Sequence, residues 1–232
     1  MSVVVIAGGA GEIGRALALA YAGDGSRVHI VDRSDAAREV AADVSGTAHI
    51  ADTSDPGSAS VFSEIGRIDT LINAVGVWPT MTVDALTPED WSAFARVNLD
   101  AGYHAVWGSR DGLRTARGAV VNITSAIALK GHPQMVHYAA AKAGVIGMTR
   151  SLALALGPDG VRVNAVAPGL VATERNLSVW SEEQRATFRA SRALPIDLTV
   201  DDVVGTIRFL SSPAARAITG QTIVVDGGTV LH

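Results

Sequence analysis

The sequence predicts an α/β fold, and three observations carry that reading. First, a β-branched run, Val3 to Ala7, breaks into a glycine cluster and then turns helical through Ile13, Leu17, Ala20 and Tyr21: strand, tight turn, helix. Second, later short apolar runs close on small or polar residues, which fits the rule that ligands of open α/β sheets lie at the carboxyl ends of the strands. Third, the stretch Val120 to Gly147 reads as a buried strand (Ala119 to Ile123), a loop, and a helix starting near Val136. Residues four apart share a helix face, so Tyr138 and Lys142 place a phenol beside an ammonium, with Ser125 upstream.

Composition sets outer bounds. The chain has 232 residues, 48% hydrophobic and 18% charged, enough to bury a large core. The pattern shows no repeat, low-complexity tract or linker, so one domain over 1–232 is expected. A net charge of −4 gives no electrostatic footprint for nucleic acid. The absence of an 18-residue apolar run and of a basic leader gives the expectation of no membrane span and a cytoplasmic location. There is no Cys, hence no thiolate chemistry or disulfide, and no metal site is expected. Of 19 basic residues only Lys130 and Lys142 are lysine. In an arginine-dominated chain the choice of Lys at 142 is informative, because a compact ammonium can sit beside a titrating phenol where a planar fork cannot.

In chain order, the first turn reads Gly8-Gly9-Ala10-Gly11-Glu12-Ile13-Gly14. Such a turn lets backbone approach a pyrophosphate, met by the N–H groups and positive dipole end of the next helix. Arg27 to Val31 forms a second strand closed by Asp32, 18 positions beyond Gly14, near the ~20-residue offset of an acid that binds an adenosine ribose diol. The alternative for Asp32 is a cap for the helix from about Asp35, a task Ser34 could also fill. A carboxylate here repels a 2′-phosphate and favours NAD over NADP; Arg33 blurs this, since its guanidinium could stack on adenine or meet that phosphate. Ala48 to Ala51, ending at Asp52-Thr53, and Thr70 to Ile72, ending at Asn73-Ala74-Val75-Gly76, are the next strands. Asp52 is either an adenine contact or a turn residue, and Asn73 either faces the cofactor or satisfies sheet backbone.

Pro88 to Thr115 reads as one long helical region holding Asn98, an amide amid apolar positions that needs partners if buried. It either acts at the site or kinks the helix while bonding backbone or water. The central helix runs to about Leu156, where Gly157-Pro158-Asp159-Gly160 stops it. Val161 to Ala167 alternates as a sixth strand ending at Pro168-Gly169. Residues 170–200 change character and suggest a lid. Arg185, Arg189 and Arg192 could share a face of the lid helix, either solvated or as a handle for an anion. Asp201 to Leu210 is a last helix and Thr222 to Val225 a last strand, followed by Asp226-Gly227-Gly228.

This order of motifs resembles the single-domain branch of the short-chain dehydrogenase/reductase family. The resemblance covers the glycine turn, Asp32, Asp52, the Asn73 turn, Asn98, Ser125, Tyr138, Lys142, Pro168-Gly169 with Val171 and Thr173, and Val225-Asp226-Gly227-Gly228. It implies a Rossmann-type, doubly wound, three-layer αβα fold with seven parallel strands in the order 3-2-1-4-5-6-7. It further implies hydride transfer between a nicotinamide and an alcohol or ketone carbon. Tyr138 would be the acid/base, Ser125 would hydrogen-bond the substrate oxygen, Lys142 would hold the nicotinamide ribose and tune Tyr138, and Asn98 would position a water. The sequence departs from the family where Glu12 takes the middle glycine of the turn and where Ala74 replaces a second Asn.

The reading is an NAD-dependent oxidoreductase acting on a secondary alcohol or its ketone. Val75, Trp78, Ile127, Met135, Val136, Leu170 and Trp180 fall where the family's substrate pocket would be. Only His132 or His137 could add charge there, so a small uncharged substrate is expected. Two other readings stand beside it: an NADPH-dependent 3-oxoacyl-carrier-protein-type reductase, and an inactive NAD-binding regulatory protein. By family analogy the assembly is a homotetramer or homodimer.

Overall fold

The computed structural model describes residues 1–231. Seven strands form one sheet: β1 (Val3–Ala7), β2 (Arg27–Asp32), β3 (Thr47–Ile50), β4 (Thr70–Asn73), β5 (Ala119–Ile123), β6 (Arg162–Pro168) and β7 (Thr222–Val225). Their order is β3-β2-β1-β4-β5-β6-β7 and every pairing is parallel, as the family resemblance implies. The helices are α1 (Glu12–Gly23), α2 (Ala36–Asp43), α3 (Ala59–Glu64), α4 (Pro88–Ala95), α5 (Ala101–Ala116), α6 (Ile127–Lys130), α7 (Val136–Leu156), α8 (Glu174–Val179), α9 (Glu182–Ala190) and α10 (Val200–Ser211).

The central strands are apolar on both faces because helices cover both. Val4 and Ile6 of β1 point toward one layer with Leu17 of α1, Val40 of α2 and Ile207 of α10. Val5 and Ala7 point toward the other, with Phe62 of α3, Leu113 of α5 and Leu156 of α7. Because side chains alternate along a strand, one run of five residues stocks two cores. Strand order reverses between β1 and β4, and there the connections leave in opposite directions and open a crevice at the carboxyl edge.

Several boundaries differ from the sequence reading. β3 and β6 are displaced by one residue, to Thr47–Ile50 and Arg162–Pro168. The long helical region is not continuous: a π turn, Arg96–Asp100, separates α4 from α5 and contains Asn98. The stretch after β5 is not all loop, since α6 forms one turn within it. One helix, α7, is long and apolar enough by composition to cross a membrane. In this fold Val145, Ile146, Ala153 and Leu156 of α7 are buried and serve the core.

Candidate active site

A cavity of about 560 Å³ runs along the carboxyl edge of the sheet, within the size range of small-molecule and cofactor clefts. Gly8, Gly11, Glu12, Ile13, Gly14, Asp32, Arg33, Asp52, Thr53 and Gly76 line one end; Ser125, Tyr138 and Lys142 the middle; and Pro168, Gly169, Val171 and Thr173 the wall beyond. Trp78, Ile127, Met135, Leu170 and Trp180 line the other end, with Val75. Three expected residues are elsewhere. Asn73 and Asn98 stand off the cleft, and Val136 is exposed on the outside of α7.

The glycine turn is shaped by close approach. Gly8 has φ +80, a conformation side chains rarely adopt, and a Cβ on Gly14 would sit 2.4 Å from the Gly8 carbonyl oxygen. The turn therefore lies directly on α1. Gly11 caps that helix without any side-chain hydrogen bond, so the first-turn N–H groups of α1 open into the cleft. This is a fit for a pyrophosphate. Asp32 is fastened to the same turn: one carboxylate oxygen accepts from the Ala10 N–H at 3.0 Å and the other from the Ser34 N–H at 3.0 Å. It does not cap α2, where Ser34 Oγ accepts from Ala36 instead. Arg33 extends to within 3.8 Å of Asp52, both largely exposed. Asp52 is held below the usual carboxylate range chiefly by its hydrogen bond from Ser54.

A carboxylate on this turn must point away from a pyrophosphate, and the structure shows where Glu12 goes. Its carboxylate reaches across to the lid and accepts from the N–H groups of Glu174 at 2.7 Å and Arg175 at 3.2 Å.

Ser125, Tyr138 and Lys142 come together in the middle of the cleft. Ser125 follows β5 and accepts a hydrogen bond from the Ile127 N–H at 3.2 Å, which orients its hydroxyl at the start of α6. Tyr138 and Lys142 lie one turn apart on α7, with Nζ of Lys142 5.8 Å from the centre of the Tyr138 ring. Desolvation by the cleft walls pushes the Tyr138 phenol up to about 12, and its hydrogen bond with Ser125 opposes this in part. Burial lowers Lys142 to about 8. The ammonium donates to the carbonyls of Val75 at 3.1 Å and Ile123 at 3.0 Å, which leaves one of its three protons for the cleft. A phenol that keeps its proton beside an ammonium is the protonated half of an acid/base device.

The two asparagines do structural work for which sequence gave an even choice. Asn98 is buried; its Oδ1 accepts from the Val77 N–H at 3.0 Å and its Nδ2 donates to the Phe94 carbonyl at 3.0 Å. Its amide thus braces the turn after β4 while sitting in the π segment. Gly76 beside it is tightly enclosed: a Cβ would lie 3.2 Å from Asn98 Oδ1 and 3.3 Å from Lys142 Nζ, so either side chain would have to give by a few tenths of an ångström. Asn73 is corrected more firmly. At the end of β4 its side chain points into the layer under α5 and α7, donating to Asn122 Oδ1 at 2.8 Å, while Asn122 donates to Thr149 at 2.9 Å. It binds the sheet to its helices and does not face the cleft.

The lid, residues 170–200, folds as α8 and α9 and borders the cleft through Arg175, Asn176, Phe188 and Arg192 in addition to the expected residues. Arg185 and Arg189 pair with Glu182, and Arg189 also with Asp197, so neither is a free handle for an anion. Arg192 is buried and donates to the carbonyls of Leu170, at 2.8 Å, and Ile196. His132 lines the cleft, but His137 is buried against Phe94, ring centres 4.3 Å apart, and cannot serve there. Lys130 and Arg175, both exposed, rim the apolar end, and Arg175 lies 4.7 Å over the Trp78 ring. Sequence reasoning missed Arg175 and Asn176, though both fall within one turn of Thr173. It also missed Thr229, three positions after Asp226, which only the closing of the C-terminal turn brings to the wall.

Comparison with known proteins points the same way. A family model described as enoyl-(acyl carrier protein) reductase matches residues 8–230. A 3-oxoacyl-[acyl-carrier-protein] reductase of Synechocystis is 36% identical, over 99% of this chain and 97% of its own. A D-threitol dehydrogenase of Mycolicibacterium smegmatis is 34% identical, over 97% of this chain and 92% of its own. An uncharacterized short-chain type dehydrogenase/reductase of Sinorhizobium fredii is 35% identical over 97% of this chain, which spans only 43% of that longer protein. Among solved structures, an oxidoreductase of the short-chain dehydrogenase/reductase family from Burkholderia thailandensis superposes with a TM-score of 0.91 at 33% identity, covering 99% of this chain and 92% of that one.

Proposed function

The chain belongs to the short-chain dehydrogenase/reductase family of oxidoreductases, and on that footing we propose that it interconverts a secondary alcohol and its ketone with NAD(H). The observation that carries the cofactor choice is Asp32. Its carboxylate is tied at both oxygens to backbone N–H groups of the glycine turn and of Ser34, so it cannot swing aside. A 2′-phosphate placed there would meet a fixed negative charge, whereas a ribose diol would donate to it.

A bound nicotinamide dinucleotide would supply the hydride chemistry and, when oxidised, a positive charge. The open amides of α1 would hold its pyrophosphate, Asp32 its adenosine ribose, and Lys142 its nicotinamide ribose. Thr173 and Val171 would line the nicotinamide side. The rest is done by side chains of this protein. Ser125 donates to the substrate oxygen and holds it against Tyr138. Tyr138, protonated in the free site, gives its proton to a ketone oxygen during reduction and takes it back from an alcohol during oxidation. The Lys142 ammonium eases the second direction by stabilising the phenolate, as does the charge of the oxidised cofactor. Asn98 serves by bracing the turn that carries Gly76 and Val77.

The wall formed by Trp78, Ile127, Met135, Leu170 and Trp180 supports a small uncharged substrate, with Lys130 and Arg175 at the rim. Exposed Trp91, Tyr103 and Trp107 support assembly into a homodimer or homotetramer, and we place the protein in the cytoplasm. The likeness to the Synechocystis 3-oxoacyl-[acyl-carrier-protein] reductase favours a second reading, an NADPH-dependent 3-oxoacyl-carrier-protein reductase, with Arg33 as the residue that would meet the 2′-phosphate. Pairing of Arg33 with Asp52 opposes it. Initial-rate assays of purified protein with NAD and NADP over a panel of secondary alcohols and ketones test the proposal. Turnover with NAD is expected; no turnover with either cofactor at any pH would overturn it.

A further inference from the structure

Glu12 is the one residue of the glycine turn that a pyrophosphate cradle does not explain. A carboxylate beside a phosphate site is unfavourable, yet here it is engaged 162 positions away in the chain, at the start of α8. That helix has six residues, too few to hold together by its own hydrogen bonds. Its first-turn N–H groups all have acceptors: Glu174 and Arg175 donate to Glu12, and Asn176 donates to Thr173 Oγ1 at 3.2 Å. Only the Thr173 cap is local. The other two come from the floor of the cleft.

We propose that Glu12 is a positioning residue that docks the lid onto the glycine turn, so that the substrate wall is formed before any ligand arrives. Negative charge at a helix N-terminus is stabilising, and each N–H bonded to a carboxylate is a charge-assisted contact. From that fixed start α8 sets Arg175, whose guanidinium covers the Trp78 ring, and Trp78 lines the substrate end. A single carboxylate thus links the cofactor turn to the aromatic wall. The cofactor floor does not lean on this contact in return. Asp32 and the open amides of α1 are placed by backbone. Loosening Glu12 therefore frees the lid and leaves the floor in place.

The consequence for turnover rests on the function proposed above, whereas the docking itself is measured without cofactor or substrate. Amide hydrogen exchange followed by NMR on the intact chain reads it directly. Glu12→Ala is expected to speed exchange at Glu174 and Arg175 about fivefold or more, with β1 and α1 unchanged. Glu12→Gln keeps one carbonyl acceptor and is expected to fall between the two, which also serves if the alanine variant folds poorly. In assays, Glu12→Ala is expected to raise the substrate KM by more than it lowers kcat. Exchange at Glu174 and Arg175 equal to wild type in a folded Glu12→Ala protein would overturn the docking, as would faster exchange spread evenly through β1 and α1. Absence of turnover in wild type would count against the function and leave the exchange result standing.

Discussion

The two ends of the cleft are built by different means. The cofactor end is made of strand termini and backbone: the Gly8–Gly14 turn, Asp32 clamped by N–H groups, and a helix whose first amides are left open. The substrate end is made of side chains, Leu170 and Trp180 from the lid against Trp78, Ile127 and Met135 from the segments after β4 and β5, with the lid held by Glu12, Thr173, Arg192 and the stacking of Arg175 on Trp78. Backbone geometry is fixed once the sheet forms, so the first end is stiff and generic. Side-chain ties can be exchanged one at a time, so in the proposed function the second end is where substrate choice would reside. Between them, Ser125 just after β5 and Tyr138 and Lys142 on α7 belong to the stiff part.

Substitutions can break this contrast or sharpen it. The largest effect falls on the shared middle. Tyr138→Phe removes the proton donor and is expected to cut kcat on the order of 10³-fold while NAD binding persists, measured by steady-state rates and calorimetry side by side. A variant turning over within a few-fold of wild type would remove Tyr138 from the chemistry.

Next is the effect of pH on stability through Lys142. Burial depresses its value from 10.5 to about 8, so the unfolded chain binds the extra proton between those values. Stability from this group is complete above about 10.5 and is lost as pH falls to about 8. Relative to Lys142→Met, wild type is expected to gain on the order of 3 kcal/mol across that rise, read from denaturant unfolding. Tyr138, raised from 10.0 to about 12, acts in the opposite sense at higher pH: its contribution is lost as pH climbs through about 12. A flat difference between wild type and Lys142→Met from pH 8 to 10.5 would show that the ammonium is better solvated than its burial implies.

A smaller shift separates the ends. Asp32→Ala is expected to weaken NAD about tenfold and to improve NADP, with the substrate KM little changed, because a ribose hydrogen bond to a carboxylate is worth about 1.5 kcal/mol. The smallest is Arg175→Ala. It is expected to raise the substrate KM by about threefold, through the loss of roughly 0.5–1 kcal/mol of cation–π packing on Trp78, with the NAD Kd unchanged. If Arg175→Ala moves NAD affinity and Asp32→Ala moves the substrate KM by similar factors, the two ends are not separable.

The same contrast explains what the sequence made legible. The strands and the glycine turn were readable from local signals, namely β-branched runs, glycines at a close approach and an acid at the right offset, whereas the order of the sheet followed from the family resemblance those motifs carry. The pairing of Tyr138 and Lys142 was readable from helical spacing, and the place of Ser125 beside them from the family resemblance. Asn73 was not, because one amide at a strand end can face either the cleft or the helices behind it, and Asn122 and Thr149, distant in sequence, decide. Asn98 likewise turned on Val77, 21 positions away, and on a π turn that periodicity does not reveal. Glu12 looked like a defect in a motif until its partners at 174 and 175 were placed. The lid arginines were left open as a solvated face or an anion handle, and Glu182 and Asp197 settle the matter for two of them. In each case the missing information was a contact between residues that local patterns cannot pair.

The proposed reading of a ribose diol by Asp32 is tested most directly by calorimetric titration of the wild-type chain with NAD and with NADP in the same buffer. The Kd for NAD is expected to be lower by at least about tenfold, as for a fixed carboxylate against a 2′-phosphate. Equal affinities, or tighter binding of NADP, would contradict it.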